Sequence, residues 1–295
     1  MIAVRLFGAT TVEVDGQALP SEALRGRPRQ ILEILALAAG APVPKDRLAD
    51  LVWEGDPPVS HHGTLESYVC VLRRSLGVCS GRASALATSA GGYRLSSEVS
   101  VDLVQFRQLA REARDASAER AVRAMLQALD LVGGDLLHSE PYAGWAERAR
   151  EVFAADAVAG FTRAAGLANG IRAYDDAAAL ARAALGHDRL CEAAWQHLIR
   201  SHWLAGRHGE ALRAYAELRA VMLDELGDEP GQESRALYQA ILAEPVGVTH
   251  PAATHGELRT LLRLLRQTLE AIPGVQVPAL DAGLSAEAIR VLGVR

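Results

Sequence analysis

Between Val59 and Leu76 the apolar residues recur at a strict helical period. Leu65, Val69, Leu72 and Leu76 fall in one narrow sector of the helix and must face a core. The opposite side is small and polar. It carries Ser60, Gly63, Ser67, Cys70 and Arg74, with Thr64 and Val71 beside them. A helix divided this way buries its leucines and offers hydroxyls, small side chains and a terminal arginine, a face that can approach a polyanion closely.

Its neighbours fix the motif. From Pro28 a first helix is predicted, with Ile31, Leu32, Leu35, Ala38 and Ala39 at helical spacing and Gly40 at the stop. Pro44 opens a short second helix through Lys45 to Leu51, and the Glu54-to-Pro58 stretch is a loop. After the third helix, Ser84 to Thr88, Gly91-Gly92 and Tyr93-Arg94-Leu95 read as a glycine-turned hairpin. Three helices and a hairpin make a winged helix-turn-helix. The first 20 residues alternate as short strands, with Ile2, Val4 and Leu6 in phase, then Val12 and Val14, and Asp15-Gly16 as a hairpin turn before Gln17 to Leu19. This points to the winged-helix subtype with a leading sheet.

Beyond Ser100 the sequence is helical apart from turns: Asp102 to Ala116, Ala118 to Leu131 and Trp145 to Ala168. A shift of 34 residues superposes Phe161 on Trp195, Tyr174 on His208, Asp176 on Glu210 and Ala177 on Ala211, the tetratricopeptide period. Two copies are clear, enough for a compact helical domain. The expected class is therefore mainly α with a small β component, an N-terminal winged helix-turn-helix followed by an all-α tetratricopeptide-like domain. The expected divisions are 1–100, 101–245 and a C-terminal extension, 246–295. In that extension Leu258, Leu261, Leu262, Leu265 and Leu269 form a stripe, read as a helix docked on its own chain or as a dimer contact.

Composition excludes several classes. No apolar run approaches the ~18 residues of a membrane span, and the opening MIAVRLFGATTVEV lacks the features of a signal peptide. Cys70, Cys79 and Cys191 are an odd, scattered set, so neither a disulfide framework nor a CxxC pair is expected, and the cytoplasm follows. Phosphate-loop, nucleophile-elbow and HExxH motifs are absent, so neither an enzyme nor a cofactor is expected. His61-His62 invites a metal, but adjacent helical side chains diverge by about 100° and no carboxylate or thiol stands at ligand spacing, so no metal is expected. Net charge is −5, and residues 1–100 balance ten basic against ten acidic side chains. Any DNA surface must be a local patch.

Two segments carry a family resemblance. RGRPRQILEILALAAGAPVPKDRLADLVWEGDPPVSHHGTLESYVCVLRRSL, followed by GGYRL, and LAGRHGEALRAYAELRAVMLDELGDEPGQESRALYQAIL together resemble the Streptomyces antibiotic regulatory protein family. Its members join an OmpR-like winged helix to a bacterial transcriptional activation domain. The resemblance covers about Arg5 to Leu242. It implies activation of a biosynthetic gene cluster, with a dimer or pair of molecules on direct repeats of double-stranded DNA upstream of a promoter, and contacts that recruit RNA polymerase. The chain departs from the family pattern at Val71, where a polar or basic residue is common, and at Val132, where a tryptophan is common.

For the DNA site the expected residues are Lys45, Ser60, Thr64, Ser67, Val71, Arg73, Arg74 and Arg94. Hydroxyls at 60, 64 and 67 suit base edges or phosphate oxygens, and Arg74 suits a guanine or a phosphate. Arg94 on the wing suits a minor groove or backbone. Lys45 adds its charge to a helix N-terminus. Arg73, on the helix flank, reads more readily as a solvated helix-end charge than as a DNA contact, and Tyr68 as packing at the core edge. A competing reading is an adaptor, whose tetratricopeptide-like groove binds a protein segment while the winged helix is merely structural.

Overall fold

The leading strands find partners at both ends of the winged helix. In the computed structural model, which describes residues 1–20, 22–77, 85–89 and 91–243, β1 (Ile2–Arg5) pairs antiparallel with β2 (Thr11–Val14), Val4 opposite Val12. The Asp15-Gly16 turn leads into β3 (Gln17–Ala18). Three helices follow: α1 (Arg27–Leu37), α2 (Lys45–Val52) and α3 (His61–Ser75). Between the first two, β4 (Val43–Pro44) joins the wing, which is β5 (Leu86–Ser89) and β6 (Gly92–Leu95), in the order β4-β6-β5. Then β7 (Val99–Val101) returns to lie parallel to β1, giving the first sheet the order β3-β2-β1-β7.

The chain passes straight from β7 into α4 (Asp102–Arg114), and Asp102 fastens that junction. Its buried carboxylate accepts hydrogen bonds from the backbone N–H groups of Leu6 (2.8 and 3.0 Å), Phe7 (3.1 Å) and Leu103 (2.7 Å). It thereby satisfies backbone donors just after β1 and in the first turn of α4 together, with its charge at the helix N-terminus. Burial pushes its carboxyl upward while the N–H donors oppose that shift.

Next come α5 (Ala118–Leu131) and the long α6 (Gly144–Gly170), with the 135–138 segment bridging back to β1. Phe7 pairs with Leu136, and Leu137 N–H donates to the Leu6 carbonyl at 2.8 Å. Phe7, Phe106 and Phe153 meet with ring centroids 4.8 to 6.2 Å apart, joining the first sheet to α4 and α6. Core side chains run continuously from Ile2 to Ile241. Residues Met1–Ala243 accordingly form one compact unit.

The 34-residue repeat is real in space. Its helices are α6, α7 (Tyr174–His187), α8 (Glu192–Leu204) and α9 (His208–Leu226), with α10 (Gln232–Ala243) closing the end. Tyr174 and His208 each begin a second helix of a pair, and Ala177 and Ala211 are fully buried where helices approach. The equivalent turns use left-handed backbone at Arg172 and Gly206. Tyr215 and Tyr238 stack at 4.3 Å to seat α10 on α9. The Leu258-to-Leu269 stripe, residues 246–295, Ser84 and Cys79 lie outside the described residues.

One buried group in the seam titrates. Glu33 of α1 is enclosed near Thr10, Arg29, Glu140 and Arg150, and its two oxygens are buried without a well-formed hydrogen bond. Desolvation pushes its pKa to about 7, with Thr10 and Arg29 pulling the other way. A raised folded-state pKa stabilises the fold while the group holds its proton, and that contribution is lost as pH rises through about 7. Glu33→Gln should match the native chain near pH 4 and exceed its stability above pH 8. The gap is roughly 3 kcal/mol by the linkage value of 1.36 kcal/mol per pKa unit. Urea denaturation across that range checks it; parallel pH profiles for the two proteins would contradict it.

Candidate nucleic-acid interface

The orientation of α3 is decided by its apolar side. Leu65, Val69, Leu72 and Leu76 are each at most 1 % exposed, on a helix that packs against α1 and α2. At about 25 cal/mol per Å² of apolar area removed from water, four buried aliphatic side chains outweigh any polar preference on the other side. The outward face then follows by geometry: Gly63, Glu66, Ser67, Cys70, Val71 and Arg74 are all exposed.

The structure brings most of the expected site residues to that face or its rim. Ser60 is the residue before α3 and is exposed. Thr64 and Ser67 donate their hydroxyl protons to carbonyls four residues back, Ser60 at 3.2 Å and Gly63 at 2.9 Å. Such back-bonding leaves the oxygen lone pairs directed outward as acceptors. Val71 stands 41 % exposed between Ser67 and Arg74. Arg74 has no side-chain partner among the described residues. Arg94 projects from β6 and is likewise exposed.

Two expected residues are engaged within the fold. Arg73 turns towards the wing, where its guanidinium donates to the Leu86 carbonyl at 3.1 and 3.3 Å and to Thr88 Oγ1 at 2.8 Å. It sits 5.9 Å from the centre of the Tyr93 ring. The solvated helix-end reading of Arg73 is thus corrected: it braces the wing against α3. Lys45 lies 5.7 Å from the centre of that ring and pairs with Glu66 at 2.6 Å. This bond raises the lysine pKa and lowers that of the carboxylate. The wing also depends on Gly92, where a Cβ would fall 2.1 Å from the Val43 carbonyl oxygen; only glycine lets β4 and β6 pair. Tyr68 packs on Trp53, rings 6.2 Å apart, as expected of a core-edge residue.

Sequence reasoning missed Glu66 and Asp46. Glu66 is 21 residues from Lys45, and no local spacing announces that pair. The expectation that His61 and His62 diverge, with no carboxylate in reach, is also corrected. Their ring centroids lie 4.3 Å apart, and Asp46 of α2 approaches both.

Comparison with known proteins converges on this arrangement. Residues 21–95 match the family model described as transcriptional regulatory protein, C terminal, and residues 101–242 match the bacterial transcriptional activator domain. The regulatory protein DnrI of Streptomyces peucetius is 30 % identical over 235 residues, covering 75 % of this chain and 86 % of that protein. The chain belongs to the Streptomyces antibiotic regulatory protein family. It is a DNA-binding transcriptional activator of that type. The transcriptional regulatory protein EmbR of Mycobacterium tuberculosis is 31 % identical over 254 residues, covering 81 % of this chain and 63 % of that protein. A solved structure of M. tuberculosis EmbR in complex with a low affinity phosphopeptide shares the fold, with a TM-score of 0.66 at 24 % identity. It covers 93 % of this chain and 73 % of the other. Among the described residues no helix is long and apolar enough to cross a membrane.

The two neighbouring arginines of this regulator separate by role. Arg73→Ala removes bonds to Leu86 and Thr88 and should lower stability by about 1–2 kcal/mol. Arg74→Ala, at an exposed site, should change it by less than about 0.5 kcal/mol. Urea denaturation followed by tryptophan fluorescence reads both; equal effects would refute the bracing role.

Proposed function

We propose that α3 of this activator lies in the major groove of its operator, with the hydroxyl acceptors of Thr64 and Ser67, the Val71 side chain and the Arg74 guanidinium reading base edges. Ser60 and Lys45 hold phosphates at the entrance, and Arg94 on the wing meets the adjoining backbone or minor groove. The observation that carries this reading is the uninterrupted exposed face of α3, backed by a fully buried apolar side. A neutral N-terminal region is no obstacle, because exposed Arg74 and Arg94 can each meet phosphate locally. Lys45 exchanges its Glu66 partner for phosphate when DNA binds. Two copies occupy direct repeats upstream of a biosynthetic gene promoter, at the chromosome in the cytoplasm. The helical repeat domain, packed in one compact unit with the winged helix, offers its surface to RNA polymerase. The division of labour follows residues 1–100 and 101–245, with catalysis playing no part.

A gel shift on the promoter region flanking its own gene tests the DNA-reading claim. Affinity should fall as salt rises, because phosphate contacts release counterions. Arg74→Ala should weaken binding by about 1–3 kcal/mol and relax preference at one base pair. Binding that ignores salt, or an Arg74→Ala protein with unchanged affinity and preference, would remove α3 from the groove and favour the adaptor reading.

A further inference from the structure

One trio of metal-ligating side chains converges among the described residues, at the corner where the helix-turn-helix begins. Asp46 is the second residue of α2, and His61 and His62 are the first two of α3. A ring nitrogen from each histidine and a carboxylate oxygen of Asp46 all lie within 4.8 Å of one another. The geometry points to a site for a first-row divalent cation of the zinc class, held by Asp46, His61 and His62 with water completing the shell.

Three features support it beyond proximity. The donor set is two imidazole nitrogens and one carboxylate oxygen, the borderline composition that zinc and its neighbours prefer. The His62 Nε2 to Asp46 Oδ1 distance is 3.4 Å, against the ~3.3 Å edge of a tetrahedron built from zinc bonds of about 2.0–2.1 Å. His61 Nδ1 lies 2.8 Å from the Pro58 carbonyl oxygen. Donation from Nδ1 to that carbonyl fixes the tautomer and leaves the Nε2 lone pair for a metal, the outer support that ligating histidines usually have. All three side chains reach solvent, so an ion can enter without opening the fold.

The consequence is mechanical and electrostatic. A bound cation would tie the start of α2 to the start of α3. It would also change the sign of charge at a corner that otherwise presents the Asp46 carboxylate beside Lys45.

Isothermal titration of the metal-stripped, tag-free full chain with zinc chloride tests the site. One equivalent should bind near pH 7.5, and uptake should fall in acid as the ligands protonate. Because Asp46 and His62 are exposed and His61 is only half-buried, His61→Ala, His62→Ala and Asp46→Asn should keep the native circular dichroism spectrum. Each should lose at least about tenfold in zinc affinity. Cobalt(II) should give the visible absorption of a low-coordinate site, lost in the same variants. Failure of the native chain to take up zinc would leave an ordinary His62–Asp46 ion pair and overturn the proposal. Undiminished uptake by all three variants would overturn it too. The measurement involves no DNA, so its failure leaves the groove-reading proposal standing.

Discussion

Four aliphatic side chains set the terms for this molecule. Burial of Leu65, Val69, Leu72 and Leu76 rotates α3 to one angle about its own axis, and every outward group on that helix follows from the rotation. Because the buried residues are spaced at the helical period, the exposed ones are too. The face from Gly63 to Arg74 is the geometric complement of the core. The wing is fitted to the same helix, with Arg73 spanning from α3 to Leu86 and Thr88 and with both Arg73 and Lys45 near the Tyr93 ring.

What is local in sequence is what the sequence discloses. The division of α3 and the extent of α5, from Ala118 to Leu131, are periodic signals within a dozen residues of themselves. The 34-residue repeat is legible because homologous turns recur at Tyr174 and His208. Two short strands escape such reading. Val43–Pro44 and Val99–Val101 have too few residues for alternation to register, and their partners, β6 and β1, are distant in the chain. The site was legible to the same degree: exposure of Ser67, Val71 and Arg74 could be read from the helical wheel. The Lys45–Glu66 pair, the inward turn of Arg73 and the approach of Asp46 to two histidines all depend on how α2, α3 and the wing pack together. No spacing rule contains that.

The two family modules are continuous in their packing. Asp102 stands one residue into α4 yet satisfies backbone donors at the end of β1. Removing it would leave those buried N–H groups unpaired, at about 1–3 kcal/mol each. Phe7 extends the link through Phe106 and Phe153, and Glu140 receives the side chains of Arg29 and Gln30 of α1. These contacts place the winged helix and the helical repeats in one compact unit. The position of α3 on DNA would therefore orient the repeat helices that follow, which is what an activator needs if a surface behind the DNA is to meet the transcription machinery.

Cys70 lies at the centre of the exposed α3 face, whereas Cys191 sits at the start of α8, far from it in the chain. Alkylation rates of the two thiols, read by peptide mass spectrometry with and without the promoter fragment, test the orientation of α3 directly. Protection of Cys70 on DNA binding, with Cys191 unaffected, is the predicted result. Equal reactivity of Cys70 in free and fully bound protein would mean that DNA engages some other surface.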